Sequence, residues 1–183
     1  MLIKYPEGAS MRTATVIAFA TLLATTPTLA AESIITIKAI SDEGIGKIIG
    51  TVKFTDSDKG LIVDPDLGEL SPGLHGFHVH EKADCGVAEK DGKKVAGLAA
   101  GGHFDPNKTT RHEGPDGNGH NGDLPALEVK EDGTATRALL APRLKLSDIK
   151  GHAVIIHEGG DNYSDAPKPL GGGGARVACG IIE

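Results

Sequence analysis

The chain has 183 residues, enough for one domain with a sizeable apolar core. Its 26 glycines, absent tryptophan and 3% aromatic content suit many turns and little helix. A net charge of −6 argues against nucleic acid or anionic membrane as a partner.

The first thirty residues read as a signal peptide. Ala14 to Ala24 (ATVIAFATLLA) is an apolar run too short to span a bilayer; Arg12 precedes it and the small-residue site Pro27-Thr28-Leu29-Ala30 follows. Pro6-Glu7-Gly8 suits such a leader poorly, which makes Met11 an alternative start. Cleavage after Ala30 leaves a single domain, residues 31–183. It also removes Lys4, Arg12 and Glu7, taking the net charge from −6 to −7. The two remaining cysteines, Cys85 and Cys179, read as a disulfide in an exported protein, with two free buried thiols as the alternative.

Ile34 to Ile40 and Gly46 to Phe54 are rich in β-branched residues and are separated by Ser41-Asp42-Glu43-Gly44, as in a hairpin. Asp56 to Gly60 is a further turn before Leu61-Ile62-Val63, and Asp64 to Gly73, with two prolines and two glycines, reads as loop. Gly76-Phe77-His78-Val79-His80-Glu81 comes next. On an extended strand alternate side chains share a face, so His78 and His80 converge on one point while Phe77 and Val79 enter the apolar side. Ala126–Val129 and Ala135–Leu140 flank a Glu131-Asp132-Gly133 turn and read as a second hairpin. Pro142 to Lys150 is a connection without a clear pattern, Gly151 to His157 is a strongly apolar strand, and Arg176 to Ile182 is the last. About eight short strands without a helical period predict an all-β fold, an antiparallel sandwich or flattened barrel. Residues 81–123 and 158–175 are polar, glycine-rich and too long for idle loops, so something other than apolar burial must order them.

The first of these loops carries His103, His112, His120 and Asp123 as H-x8-H-x7-H-x2-D. Three imidazoles and a carboxylate make a full tetrahedral set for Zn²⁺. Paired imidazoles on a stiff strand make half of a second metal site, and His157, ending its apolar strand, is placed to join them.

With these residues in view the sequence resembles the bacterial, periplasmic type of copper/zinc superoxide dismutase. The resemblance rests on GFHVHE (76–81), GGHFDP (101–106), HEGPDGNGHNGDLP (112–125), VIIHEGGDNYSD (154–165) and PLGGGGARVACGII (169–182). It implies an eight-stranded Greek-key, immunoglobulin-like barrel with two long functional loops. It also implies one copper on His78, His80, His103 and His157 and one zinc on His103, His112, His120 and Asp123, with His103 bridging both as imidazolate. The implied activity is dismutation of superoxide to O₂ and H₂O₂, with copper redox-cycling, zinc structural and His103 a proton donor. Arg176 is then the anion-binding residue beside copper, its strand fixed by Cys85–Cys179. Asp161 would accept hydrogen bonds from His78 and His112.

Lys93, Lys94 and Lys168, with Lys90 nearby, are candidate steering charges. His75 resembles a structural brace of the ligand loop, and His152 an ordinary polar contact. The expected partner is the superoxide anion, without nucleic acid or stable membrane association, in a monomer or homodimer in the periplasm. Two rivals remain: a Cu/Zn-binding buffer without activity, and a zinc-only structural domain.

Overall fold

The computed structural model describes residues 1–3 and 30–183. Residues 4–29, which hold most of the expected signal peptide, lie outside the described residues. No helix among the described residues is long and apolar enough to cross a membrane.

Three long strands, β1 (Glu32–Ser41), β2 (Gly44–Ser57) and β3 (Gly60–Leu67), form an antiparallel meander. Inward residues of the meander, Ile35, Ile37, Val52, Phe54, Leu61 and Val63, are buried, as alternation requires. Next come β4 (Gly73–His75), β5 (Phe77–His80), the small pair β6 (Ala88–Lys90) and β7 (Lys93–Val95), β8 (Leu127–Val129), β9 (Leu139–Ala141), β10 (Ala153–His157) and β11 (Arg176–Ile181). The main sheet runs β5-β10-β11-β1-β2-β3-β9 and is antiparallel throughout. The chain therefore crosses the sheet after β3, back between β5 and β9, and again after β9, the long returns of a Greek key.

Strand β10 explains its own unbroken apolar run. Val154 and Ile156 enter the main core, whereas Ala153 and Ile155 enter a second cluster with Ile40, Ala100 and both cysteines. Cys85 and Cys179 form the expected disulfide in that cluster. Strand β5 pairs with β10, setting His78 opposite Ile155 and His80 opposite Ala153. The three candidate ligand histidines of these strands thus share the outer face, with Phe77 and Val79 in the core behind them.

Several sequence expectations need correction. The pair expected over residues 126–140 divides between sheets. The Lys130–Thr134 turn closes, but Ala135 then exchanges both backbone hydrogen bonds with Leu67 and draws the chain to β3. So β8 pairs with β4, and β9 pairs with β3. Strand β3 runs on through Pro65 into the segment read as loop. Leu67 directs its N–H toward Ala135, away from β2, and Pro65 shares that orientation at alternate spacing, so its missing donor costs β2 nothing. The loop 81–123 contains β6 and β7 and a single 3₁₀ turn (Leu98–Ala100), and the loop 158–175 contains another (Leu170–Gly172). Residues 142–150 hold one short helix, α1 (Leu146–Ile149), docked by buried Leu146 and Ile149.

Candidate metal centre

His78, His80, His103, His112, His120, His157 and Asp123 all come together and are all buried. Strand β5 carries the first two and β10 carries His157. His103 reaches them through an isolated bridge to His80, and Asp123 through one to His78. That bridging needs a close approach at Gly122, where a Cβ would lie 2.3 Å from the Val79 carbonyl. Gly122 is glycine because the loop backbone lies directly on β5.

Two foursomes each bring one ligand atom per residue within 4.8 Å of one another: His78, His80, His103 and His157, and His78, His103, His112 and Asp123. His120 is not in the second foursome, but its Nδ1 lies 3.5 Å from Asp123 Oδ1. The Nδ1 atoms of His103 and His112 lie 3.0 Å from the two oxygens of the same carboxylate.

Among the described residues, every buried side-chain nitrogen or oxygen without a hydrogen-bond partner belongs to these six rings. They are His78 Nδ1, His80 Nε2, His103 Nε2, His112 Nδ1, His120 Nδ1 and His157 Nε2. Unpartnered buried polar atoms are costly and rare in a folded protein. Six such imidazole nitrogens in and beside the two adjoining foursomes suit metal ions.

The opposite nitrogens are fixed. His78 Nε2 and His112 Nε2 donate to the two oxygens of Asp161, each at 2.7 Å, so one carboxylate orients a ring on each side of the centre. His80 Nδ1 donates to Gly101 O at 3.0 Å and His157 Nδ1 to Gly174 O at 3.3 Å. Arg176 also donates to Gly101 O, at 2.7 Å, and to Gly97 O, at 2.5 Å. The carbonyl that sets the tautomer of His80 therefore also aims the arginine.

Charge follows the same geometry. Burial pushes His78 down and His80 well down; it lowers His103 and His157 to about 3, helped by neighbouring histidines. The Arg176 guanidinium contributes to the lowering of His80 and His157, which places its charge at their end of the centre. Burial opposes charge on His112 too, but Asp123 and Asp161 on its two nitrogens outweigh it and raise the ring to about 9. Both carboxylates stay below the usual range, the histidine contacts overcoming their burial.

The other expected residues fall as follows. His75 is buried, with Nδ1 2.6 Å from His157 O and Nε2 2.8 Å from Ser71 O, a brace between the two strand segments. His152 Nδ1 contacts His80 O at 3.0 Å and its ring packs on Phe104. Lys90, Lys93, Lys94 and Lys168 are exposed. Sequence reasoning missed Asp165, which accepts from the backbone N–H of His112 at 2.9 Å, and Tyr163, whose hydroxyl accepts from Ala126 N at 2.9 Å. Both fall in the quoted segment 154–165, but nothing in their residue type marks a backbone donor far along the chain.

Residues 48–182 match the family model described as copper/zinc superoxide dismutase. A Cu-Zn superoxide dismutase of Escherichia coli K12 is 53% identical over 168 residues, covering 91% of this chain and 97% of the relative. Among solved structures, the Cu/Zn superoxide dismutase from Brucella abortus superposes with a TM-score of 0.83 at 49% identity, over 84% of this chain and all of that one. The solution structure of the monomeric copper, zinc enzyme from Salmonella enterica gives 0.76 at 51% identity, with the same coverage. With its fold, its paired histidine clusters and these matches in agreement, the chain belongs to the copper/zinc superoxide dismutase family.

Proposed function

We propose that this protein dismutes superoxide to O₂ and H₂O₂, using one copper and one zinc per chain. The observation that carries the reading is the set of six buried imidazole nitrogens without hydrogen-bond partners in and beside the two foursomes. Copper falls to His78, His80, His103 and His157, and zinc to His103, His112, His120 and Asp123. His78 contributes to one metal alone, because Asp161 already holds its Nε2. The fourth zinc position therefore goes to His120, whose Nδ1 has no other partner. His103 presents Nε2 to the copper side and Nδ1 to the Asp123 side, which supports its place in both sets. Copper supplies one-electron chemistry in both directions when bound, whereas zinc is redox-inert and fixes geometry.

The chain's own groups do the rest. Arg176 binds the anion: two of its donors are tied to Gly97 and Gly101, and a guanidinium has five, so three remain. His103 holds and releases a proton at Nε2 while its Nδ1 side stays anchored. Asp161 keeps His78 and His112 in register. A metal buffer would need neither a ring shared between two sites nor a guanidinium aimed at one of them.

The protein is further proposed to act in the periplasm after loss of residues 1–30, leaving the domain 31–183. The apolar run at 14–24 and the Cys85–Cys179 disulfide support export. Intact-mass measurement of periplasmic material should find Ala31 first and no free thiol. Function itself is tested by elemental analysis and a superoxide assay of the metal-loaded protein with and without a copper chelator. Equal copper and zinc, a nitrogen-rich Cu²⁺ spectrum and activity abolished by the chelator are expected. Zinc alone after full loading would overturn the reading.

A further inference from the structure

Residues 111–123 carry three of the proposed zinc ligands and only one apolar residue, Pro115, so burial of side chains cannot shape them. Their backbone is nevertheless largely inside the protein: Gly114, Pro115, Gly119 and His120 are all buried. Buried carbonyl groups need donors. One side chain meets all four. Arg143 donates from Nε to Pro115 O at 2.9 Å, from Nη1 to Gly119 O at 3.3 Å, and from Nη2 to Gly114 O at 3.2 Å and His120 O at 2.6 Å. Arg111 and Arg137 pair with the carboxylates of Glu113 and Glu128; Arg143, like Arg176, faces carbonyl oxygens instead.

The arginine is itself well anchored. It follows β9 by two residues, and the next residue, Leu144, is buried in the main core and bonded back to Ala141. A planar guanidinium has its donors in a fixed fork, so four carbonyls gathered on it are fixed relative to one another. His112 needs no such help, because Asp165 holds its backbone and Asp161 its ring. Two residues beyond His120, Gly122 is tied to Phe104 and Val79, but His120 itself has only Arg143 on its carbonyl at 2.6 Å and one backbone bond near ideal length, from its N–H to Arg111 O at 2.9 Å.

We propose that Arg143 is a positioning residue for the zinc half of the centre: it folds residues 114–120 against the barrel before metal arrives and so presents His120. The inference rests on the zinc assignment above. It predicts selective damage, because no copper-side histidine depends on the clamp.

The test uses the metal-free full-length protein and its Arg143→Gln and Arg143→Lys variants. Zn²⁺ and Cu²⁺ affinities are measured by competition with a chromophoric chelator, and amide hydrogen exchange is followed by NMR. Arg143→Gln should weaken Zn²⁺ binding by about 10–100-fold, the range for removing an outer partner of a metal ligand, and leave Cu²⁺ binding within about twofold. Lys restores the charge but gathers its donors on one atom, so Arg143→Lys should recover only part of the loss. The amides of Gly117 and His120 should exchange faster in both variants, while those of β1 and β2 keep their protection. Wild-type zinc affinity in both variants would overturn the proposal, as would an exchange increase spread evenly over the barrel. Should the wild type bind no zinc, the metal assignment fails separately. Exchange then still decides on the clamp, and unchanged protection of residues 114–120 in the variants refutes it.

Discussion

His78, His80 and His157 stand on β5 and β10, strands buried on both faces, whereas His112, His120 and Asp123 hang from a loop that polar contacts hold together. The proposed copper side is held in place by the packed sheet that carries it. Phe77, Val79, Val154 and Ile156 lock its strands from behind, and the disulfide cluster packs on the outer face. The zinc side borrows its order from Arg143, Asp161, Asp165 and finally the metal. His103 and Asp161 are the seams between them. In the proposed assignment one side serves redox chemistry at a fixed geometry, and the other tunes the ring that both share.

The largest effect should come from breaking each half in turn. His80→Gln should bring dismutation to background while the metal-free protein keeps its melting temperature, because the barrel does not depend on that ring. His120→Gln should retain copper and measurable activity but leave residues 103–123 open to protease even with zinc present. Paired activity and limited-proteolysis assays check both. If the two variants behaved alike, the division into a rigid and a metal-ordered half would be wrong.

Asp161 tests the seam. Asn at this position keeps one acceptor but replaces the other with a donor, so His78 or His112 must lose its orienting bond. Asp161→Asn should lower affinity by about 10–100-fold for whichever metal loses its oriented histidine. Competition titrations of both metals would show which one, and no change in either would remove Asp161 from the centre.

Acid should separate the halves as well. His103 and His157 are held at about 3, against an ordinary value near 6.5, so in the metal-free protein they stay neutral where the unfolded chain takes up protons. Stability is then fully present above about pH 6.5 and is lost as pH falls toward 3. His112, raised to about 9, works the other way: its contribution is present below about 6.5 and fades as pH rises to 9. Denaturant midpoints of the metal-free protein should therefore fall on both sides of neutrality. A flat profile from pH 4 to 9 would show that these rings titrate normally.

The sequence disclosed ligands on both sides, but the supports of the strand side better than those of the loop side, for a physical reason. Alternation on a strand puts His78 and His80 on one face whatever surrounds them, and the apolar run 151–157 announces a buried strand that delivers His157. Partners that reach a backbone carbonyl leave no such mark. Arg143 lies in a connection without pattern, and its acceptors are carbonyls of Gly114, Pro115, Gly119 and His120, which any residue type would supply. The failed hairpin at 126–140 has the same origin. Its local turn is real, but Leu67, far back in the chain, claims Ala135. Pro65 misled because the side of the strand its nitrogen faces depends on register, which composition does not carry.

The smallest effect concerns approach to the copper side, and here the rigid half depends on charges outside it. The substrate is a monoanion and the chain carries net negative charge, so the mean field repels it. A fast reaction then needs a local positive funnel, and focusing in a cleft raises on-rates by roughly 10–10³-fold. Arg176 is fixed at the centre by two carbonyls, while Lys93, Lys94 and Lys168 are exposed on the flanking loops. Lys93→Gln, Lys94→Gln and Lys168→Gln combined should lower the second-order rate modestly, with the Cu²⁺ spectrum unchanged. Arg176→Gln should lower it further, since it also removes donors at the metal. Screening acts over about 10 Å at 0.1 M salt, so the wild-type rate should fall with ionic strength and the triple variant should lose part of that dependence. Pulse radiolysis over a salt series measures both. A rate indifferent to salt, with the triple variant equal to wild type, would make the three lysines ordinary surface charges and leave Arg176 as the whole of the guide.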